Sequence, residues 1–250
     1  MEYRVEGIIR FHPTSKLKLG ETLNFSSPSG VQVALSTSND HLSVQIVLEA
    51  DDTAAAKKIA AIELDRISNL LSYFHDIPLE RGSITGVSTV QVYAEGKQIK
   101  VGEAMVGIDT ILSLVKQLDP KSAEELRHQL EKVNPVDFKD VISIWREAIS
   151  TESPTLKYIL LYRLMEFLFS NEGKTKTRAL TDWIKKKEPS VNMYPPDQYR
   201  NYHYTHYTYL RDNIHAKTKQ FPHTEIVKAL PTFQGLVKQS IKEKFGRSNP

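Results

Sequence analysis

The first part of the chain alternates apolar and polar residues in short runs, which is the period-two pattern of β-strands. The runs lie at residues 3–11, 31–38, 41–50 and 88–101, and clusters of Gly, Asn, Asp, Pro and Ser separate them. Between the third and fourth runs, residues 52–75 carry apolar side chains every three or four positions, and two aspartates at the start supply an anionic cap. We therefore predict an α+β domain that is rich in β-strands and holds one long helix.

From about Gly107 onward the pattern is helical. Apolar residues recur every three or four positions in seven segments, which span residues 108–118, 122–133, 135–150, 153–171, 176–187, 195–217 and 224–245. The pairs Asp119-Pro120 and Ser153-Pro154 each place a capping side chain before a proline of a first helical turn. This pattern predicts an all-α helical bundle, so we expect two domains, residues 1–107 and residues 108–250.

The composition excludes several kinds of site and segment. None of the 250 residues is a cysteine, which excludes disulfides, thiolate metal sites and a cysteine nucleophile. The N-terminus lacks the basic start and apolar run of a secretory signal, and no segment has the roughly 18 unbroken apolar residues of a membrane span. We therefore expect a cytoplasmic protein that makes no contact with a membrane.

Positive charge is concentrated in the C-terminal part. The whole chain has a net charge of +3, but residues 151–250 hold 17 lysines and arginines against 9 acidic residues, a net charge of +8. A basic surface attracts polyanions through steering and counterion release, although it also serves solubility. We expect six basic residues and one tyrosine to bind RNA: Lys174, Lys176, Arg178, Lys185, Lys186, Lys187 and Tyr207.

The segment "YLRDNIHAK" places Arg211 and His215 four residues apart, which puts both on one face of a helix. If that helix runs unbroken from about residue 198, His203 and Tyr207 continue the same stripe. A histidine can transfer a proton near neutral pH, and an arginine can stabilise charge that develops on a phosphate. Metal-free cleavage of RNA, whose 2′-hydroxyl is its own nucleophile, is one interpretation.

A structural interpretation of the same stripe stays open. Arg211 could pair with Asp212, Asp182 or another carboxylate, and His203 and His215 could be surface or half-buried residues of a tyrosine-rich helix. No phosphate-binding glycine loop, dinucleotide fingerprint, zinc-protease motif or nucleophile elbow occurs in the sequence. His203 and His206 could offer two metal ligands, but no acidic partner follows at a suitable step. We therefore expect neither a metal nor a cofactor.

The segment 153–171, the basic helix after it, "YLRDNIHAK" and a last amphipathic helix together resemble the HEPN domain, the higher-eukaryote and prokaryote nucleotide-binding superfamily. The resemblance is to the bacterial branch described as ApeA-like or methylamine-utilisation-like, and it covers roughly residues 135–247. It implies an all-helical domain, and the β-rich part resembles the variable N-terminal domains attached in that branch. Members include metal-independent endoribonucleases of toxin and phage-defence systems that act as homodimers, and also non-catalytic modules that bind RNA, nucleotides or proteins.

The resemblance also implies roles for individual residues. His215 would be the acid and base, Arg211 would stabilise the phosphate, and Glu166 in the first long helix would orient Arg211. Asp212 and Asn213 would orient the histidine and the substrate. The N-terminal domain would recognise a protein or ligand trigger and would carry no catalytic group.

A second pair of residues fits the longer spacing of the family motif. That motif leaves four to six residues between its arginine and its histidine, whereas Arg211 and His215 enclose three. Arg200, followed by an asparagine, and His206 enclose five. Arg200 with His206, and His203 beside them, are therefore our second choice of catalytic residues.

Overall fold

The computed structural model describes residues 1–13, 15–90, 114–132, 139–171, 174–175, 177–198, 201–215 and 223–245, and for residues 114–117, 171, 174, 175 and 215 it describes the backbone alone. Contacts divide the chain into two compact units, Met1–Ile142 and Ser143–Pro250. The predicted domain boundary between residues 107 and 108 lies outside the described residues.

The first unit is built on a five-stranded antiparallel sheet. Its strands are β1 Glu2–Arg10, β3 Leu23–Ser26, β4 Gln32–Thr37, β5 His41–Glu49 and β6 Ser83–Thr89, and they lie in the order β3-β4-β5-β1-β6. A separate parallel pair joins β2 Ser15–Lys18 to β7 Leu114–Gln117. The helices are α1 Thr53–His75 and α2 Pro120–Lys132.

Helix α1 covers one face of this sheet because both surfaces are apolar. Along β5 every second residue is buried, and α1 buries Leu64, Ile67 and Leu71 in the same core. Gly7 and Gly82 let the helix approach closely, since a Cβ atom on either would stand 2.8 Å from Leu64. The predicted aspartate cap is confirmed, because Asp52 accepts a hydrogen bond of 2.7 Å from the backbone amide of Ala55.

The second unit is mainly helical. Its helices are α4 Pro154–Leu168, α5 Thr177–Lys187, α6 His206–His215 and α7 His223–Phe245, while α3 Lys139–Ser150 crosses the boundary between the units. Two short antiparallel pairs accompany them, β8 Ser170–Asn171 with β9 Lys174–Thr175, and β10 Met193–Tyr194 with β11 Tyr204–Thr205. The described fold is therefore a mixed one, an antiparallel sheet followed mostly by helices, as the α+β prediction expected at this coarse level.

Two predicted helices are wrong in part. Residues 114–117 of the predicted helix 108–118 form strand β7, because backbone pairing with β2 replaces the helical hydrogen bonds. Helix α6 begins at His206 and not near residue 198, since Tyr204 and Thr205 pair with β10. The fourth predicted strand, residues 88–101, falls mainly outside the described residues, and β6 ends at Thr89.

Helix α2 also differs from the prediction in its surroundings. The helical pattern groups it with the C-terminal helices, whereas its buried Leu126 and Leu130 belong to the core of the first unit. Arg66 of α1 donates a hydrogen bond of 2.8 Å to the carbonyl oxygen of Leu130, which ties the two helices together. Among the described helices, none has the length and apolar character needed to cross a bilayer.

Candidate functional site

Helix α4 carries one wall of the candidate site. The side chain of Ser153 accepts a hydrogen bond from the amide of Leu156, and Pro154 occupies the first turn, as the sequence predicted. Steps of four residues then place Tyr158, Tyr162 and Glu166 along one face of the helix. Tyr158 and Tyr162 are buried, whereas Glu166 is partly exposed, so the face runs from the core to the surface.

Helices α4, α6 and α7 meet around the ring of Phe233. That ring on α7 stacks on Tyr158 at 5.0 Å and on Tyr207 at 4.7 Å between ring centroids. The Tyr158 hydroxyl donates a hydrogen bond of 2.6 Å to the backbone carbonyl of Tyr207, and the Tyr162 hydroxyl lies 2.9 Å from Thr208 Oγ1. Tyr158 and Tyr162 of α4 thus contact Tyr207 and Thr208 of α6. The next turn of each helix then brings Glu166 and Arg211 side by side.

Arg211 is held by two carboxylates and one aromatic ring. Its Nη2 lies 3.0 Å from Oε1 of Glu166, and its Nη1 lies 3.3 Å from Oδ1 of Asp212. The guanidinium carbon stands 4.9 Å from the centroid of the Tyr162 ring, within the range of a cation–π contact. The Arg211 side chain is 23% exposed and that of Glu166 is 26% exposed, so solvent and small ligands can reach the pair.

The electrostatics of this group favour a permanently charged arginine. Partial burial acts to lower the pKa of Arg211, but its interactions with Tyr162, Glu166 and Asp212 outweigh burial, and the pKa is raised. Burial raises the pKa of Tyr162, so that hydroxyl stays protonated. Arg211 can thus offer a fixed positive charge to an anionic ligand, although Glu166 and Asp212 neutralise part of that charge.

The other residues of the "YLRDNIHAK" segment take different positions. His215 is the last residue of α6, one helical turn after Arg211, and its side chain lies outside the described residues. Asn213 Nδ2 donates a hydrogen bond of 2.8 Å to the carbonyl oxygen of Tyr209 on its own helix. The structure therefore brings Glu166, Arg211 and Asp212 together, whereas the described contact of the Asn213 amide is with α6 itself.

The predicted RNA-contacting lysines and arginine divide into three groups. Arg178, Lys185 and Lys186 are exposed on α5. Lys187 forms an ion pair with Glu243 and lies 5.7 Å from the Trp183 ring centroid, so its charge is already matched. Lys176 and the side chain of Lys174 lie outside the described residues.

The position of Tyr207 shows that the predicted RNA contact of its ring is wrong. Only 3% of the residue is exposed, because its ring packs on Phe233, and its hydroxyl donates a hydrogen bond of 2.7 Å to Glu188. Burial and the interaction with Glu188 raise the pKa of this phenol. The ring of Tyr207 is a core group and is not available to stack on RNA.

The second-choice residues are arranged differently from the prediction. His203 is exposed and precedes α6, so it does not continue a helical stripe with Arg211. His206 is the first residue of α6, with Nδ1 3.3 Å from the Tyr194 hydroxyl and Nε2 3.9 Å from Glu225. Arg200 lies outside the described residues. In the part of the chain that the structure describes, no group of three or more His, Asp or Glu side chains is placed to hold a metal ion.

Two tyrosines that matter here were missed by the sequence analysis. The ring of Tyr162 lies against the guanidinium of Arg211. Tyr162 precedes Glu166 by four residues, and this spacing predicts that both face the same side of α4. Tyr194 stacks on Tyr209 at 4.1 Å, but the two are fifteen positions apart and no local pattern joins them.

No family model matches the chain, and neither a curated protein nor a solved structure does.

Proposed function

We propose that the protein is a metal-independent endoribonuclease of the HEPN type, a toxin or phage-defence effector of the cytoplasm. The observation that carries the proposal is the 3.0 Å contact between Glu166 and Arg211, one helical turn before His215. The resemblance assigned these three residues to one site, and two of them, far apart in sequence, are neighbours on α4 and α6. The first unit would recognise the trigger.

The proposed reaction uses the RNA's own hydroxyl as nucleophile. His215 takes the proton of the 2′-hydroxyl, the 2′-oxygen bonds to the adjacent phosphorus, and the bond from phosphorus to the 5′-oxygen breaks. His215 then gives this proton to the 5′-oxygen, so the products end in a 2′,3′-cyclic phosphate and a 5′-hydroxyl. Arg211 stabilises the charge on the phosphate, while Glu166 and Asp212 hold the guanidinium in place.

Exposed residues of the second unit support the proposals that the protein binds RNA and forms a homodimer. Arg178, Lys185 and Lys186 on α5 attract the phosphate backbone, so affinity falls steeply as salt rises. On α4, Leu156 and Phe167 are large apolar side chains that remain exposed, on the helix that also holds Glu166. A second copy of the chain would cover them and form the homodimer, with an interface expected to exceed about 1,000 Å².

One observation favours a second candidate, a non-catalytic module that binds RNA, a nucleotide or a protein. Arg211 already faces two carboxylates, and its Nε is buried without a hydrogen bond among the described residues. In this candidate the Glu166–Arg211 pair joins α4 to α6 and does not meet a phosphate.

Cleavage of labelled single-stranded RNA by the full chain, in the presence of EDTA, separates the two candidates. The endoribonuclease predicts that Arg211→Ala and His215→Ala each lower the rate by about a hundredfold to ten-thousandfold. His203→Ala, which removes an exposed histidine that precedes α6, serves as the matched histidine control that keeps full activity. Activity that EDTA removes, or full activity of His215→Ala, contradicts the proposed chemistry, and salt-sensitive RNA binding without any cleavage by the wild type supports the module.

A further inference from the structure

Four rings of the second unit lie nearly parallel to one another; three of them are partly exposed and the fourth, Tyr204, is buried. Tyr194 and Tyr209 stack at 4.1 Å between centroids with planes only 4° apart. The ring of His206 is tilted by 17° from Tyr194 and by 21° from Tyr209, at about the same distance from both. Tyr204 stands 5.9 Å from Tyr194 at 18°. We call Tyr194, Tyr204, His206 and Tyr209 the aromatic platform.

Backbone pairing and one side-chain contact hold the platform in place before any ligand arrives. Tyr194 and Tyr204 face each other directly across the β10–β11 pair, which puts their rings on the same side. The amide of His206 donates a hydrogen bond of 2.8 Å to the carbonyl oxygen of Asn192, and its Nδ1 lies 3.3 Å from the Tyr194 hydroxyl. A ligand would therefore meet rings that are already ordered.

The platform differs from the other tyrosine stack of the same unit in its exposure. Tyr158, Tyr162 and Tyr207 are buried around Phe233 and have no access to solvent ligands. Tyr194, His206 and Tyr209 are each partly exposed. Parallel rings that reach the surface and carry polar edges, phenol hydroxyls and an imidazole, can be extended by one more flat aromatic ring with polar edges. A nucleobase has this chemistry, whereas an aliphatic side chain or a lipid tail does not.

Exposed cations lie on a helix that packs against one strand of the platform, while Glu225, 3.9 Å from His206, is a carboxylate beside the rings. Helix α5 packs against β11, the strand that contributes Tyr204, and it exposes Arg178, Lys185 and Lys186. Stacking rings next to cations is the arrangement by which proteins hold single-stranded nucleic acid, with bases on the rings and phosphates on the cations. A duplex buries the faces of its bases, so the ligand must be unpaired.

We infer that the aromatic platform is a stacking site for one unpaired base of the RNA, an inference that rests on the proposed function and adds a contact remote from the reacting bond. Tyr209 and Arg211 are two residues apart on α6, and residues at that spacing lie on opposite faces of a helix. The platform therefore contributes to affinity and to the choice of single strands, and it takes no part in the chemical step.

The test uses two oligomers of about 12 nucleotides, a length within the range of single-strand binding sites. One is oligoadenosine with a central 2-aminopurine, and the other is an abasic ribose-phosphate strand of the same length and charge. We expect the full chain to bind the base-bearing strand more tightly and to quench the 2-aminopurine fluorescence. Tyr194→Leu and Tyr209→Leu are each expected to weaken binding of that strand by roughly fivefold to a hundredfold and to leave the abasic strand unaffected.

Matched variants separate stacking from general damage. Tyr209→Phe keeps the ring and should bind as the wild type does. Tyr202→Leu removes a partly exposed tyrosine of the same segment that is outside the platform, and it should also leave binding unchanged. If RNA cleavage is observed, the leucine variants should raise KM and leave kcat unchanged, because the platform does not touch the reacting bond.

The possible results distinguish this inference from the proposed function. Equal affinity of the wild type for both strands, with no quenching, overturns the stacking site and leaves the charge-driven binding of RNA in place. Unchanged binding by both leucine variants, or an equal loss in Tyr202→Leu, also overturns it. Absence of binding to either strand at low salt overturns the RNA-binding proposal together with the platform. The quenching measurement on the wild type decides the matter even where a leucine variant does not fold.

Discussion

Replacing Arg211 by methionine removes the guanidinium and keeps an unbranched apolar side chain. The change deletes the 3.0 Å contact with Glu166, the 3.3 Å contact with Asp212 and the position over the ring of Tyr162. It also leaves the two carboxylates near each other without a counter-ion. We expect the second unit to become less stable, whichever of the two proposed functions is correct.

The size of the loss follows from how far solvent screens the pair. Two unit charges about 4 Å apart near a protein surface attract by about 4 kcal/mol, but desolvation and side-chain entropy offset most of this. Since 23% of the Arg211 side chain and 26% of the Glu166 side chain remain exposed, the net contribution of the pair is discounted to about 1 kcal/mol. The ring of Tyr162 adds about 0.5 to 1 kcal/mol. The expected loss in the free energy of unfolding is therefore about 2 kcal/mol.

Tryptophan fluorescence during urea unfolding measures this loss in the correct part of the chain. The two tryptophans, Trp145 and Trp183, both belong to the second unit, so their emission reports on its unfolding. A double-mutant cycle with Glu166→Gln should give a coupling free energy of about 1 kcal/mol that shrinks in high salt. Arg178→Met, which removes an exposed arginine of the same unit, is the matched control and should change stability by less than about 0.5 kcal/mol.

The reasoning is refuted by either of two results. A loss below about 0.5 kcal/mol for Arg211→Met would mean that the guanidinium is not held by its neighbours. No coupling between Arg211 and Glu166 in the cycle would mean that their contact does not contribute to the energy of the native state. In both cases the geometry on which the proposed site depends would be wrong.

Three further changes have defined outcomes. Arg66→Met leaves the carboxylate of Glu63 buried without its partner, so the first unit should lose about 3 to 5 kcal/mol, measured by far-UV circular dichroism in urea, and a loss below about 1 kcal/mol contradicts the buried pair. Thr181→Val removes a buried hydroxyl that makes no hydrogen bond among the described residues, and tryptophan fluorescence should show a gain of about 1 kcal/mol; a loss refutes this. Hydrogen bonds from Lys187 and Trp183 hold the pKa of Glu243 below its usual value of 4.5. They therefore stabilise the folded state above pH 4.5, and this stabilisation is lost as the pH falls through the lowered pKa. Glu243→Gln should therefore lower Tm at about pH 7 but not at about pH 3, and a deficit independent of pH would contradict this reason.

Local patterns predicted most of the regular elements. The cap of α1 at Asp52, the start of α4 after Ser153 and the alternating strands β1, β4 and β5 depend on residues within a few positions of one another. Such short-range preferences are readable in the sequence because the hydrogen bonds and the buried faces repeat at a fixed period. The segments that failed, β7 and the start of α6, are those in which a strand elsewhere in the chain supplies the pairing.

The candidate site was predicted in part for the same reason. Arg211 and His215 lie on one short segment, so their common helix could be predicted, and the resemblance supplied Glu166 as the partner of Arg211. Tyr207 was placed on the surface because it continues the same stripe, but the ring of Phe233 buries it. Periodicity states which residues share a face of a helix, and it does not state whether that face meets the core or the solvent.

The sequence by itself determined the strand and helix periods, the helix caps, the absence of cysteine chemistry and the positive charge of residues 151–250. The tertiary structure decided which residues meet: Leu64 against Gly7, Glu166 against Arg211, and Tyr194 against Tyr209. These contacts join positions between fifteen and nearly sixty residues apart, and their free energy depends on the packing of whole helices and strands. A period in the sequence records the neighbours of a residue along its own element, whereas only the folded chain brings together side chains from different elements.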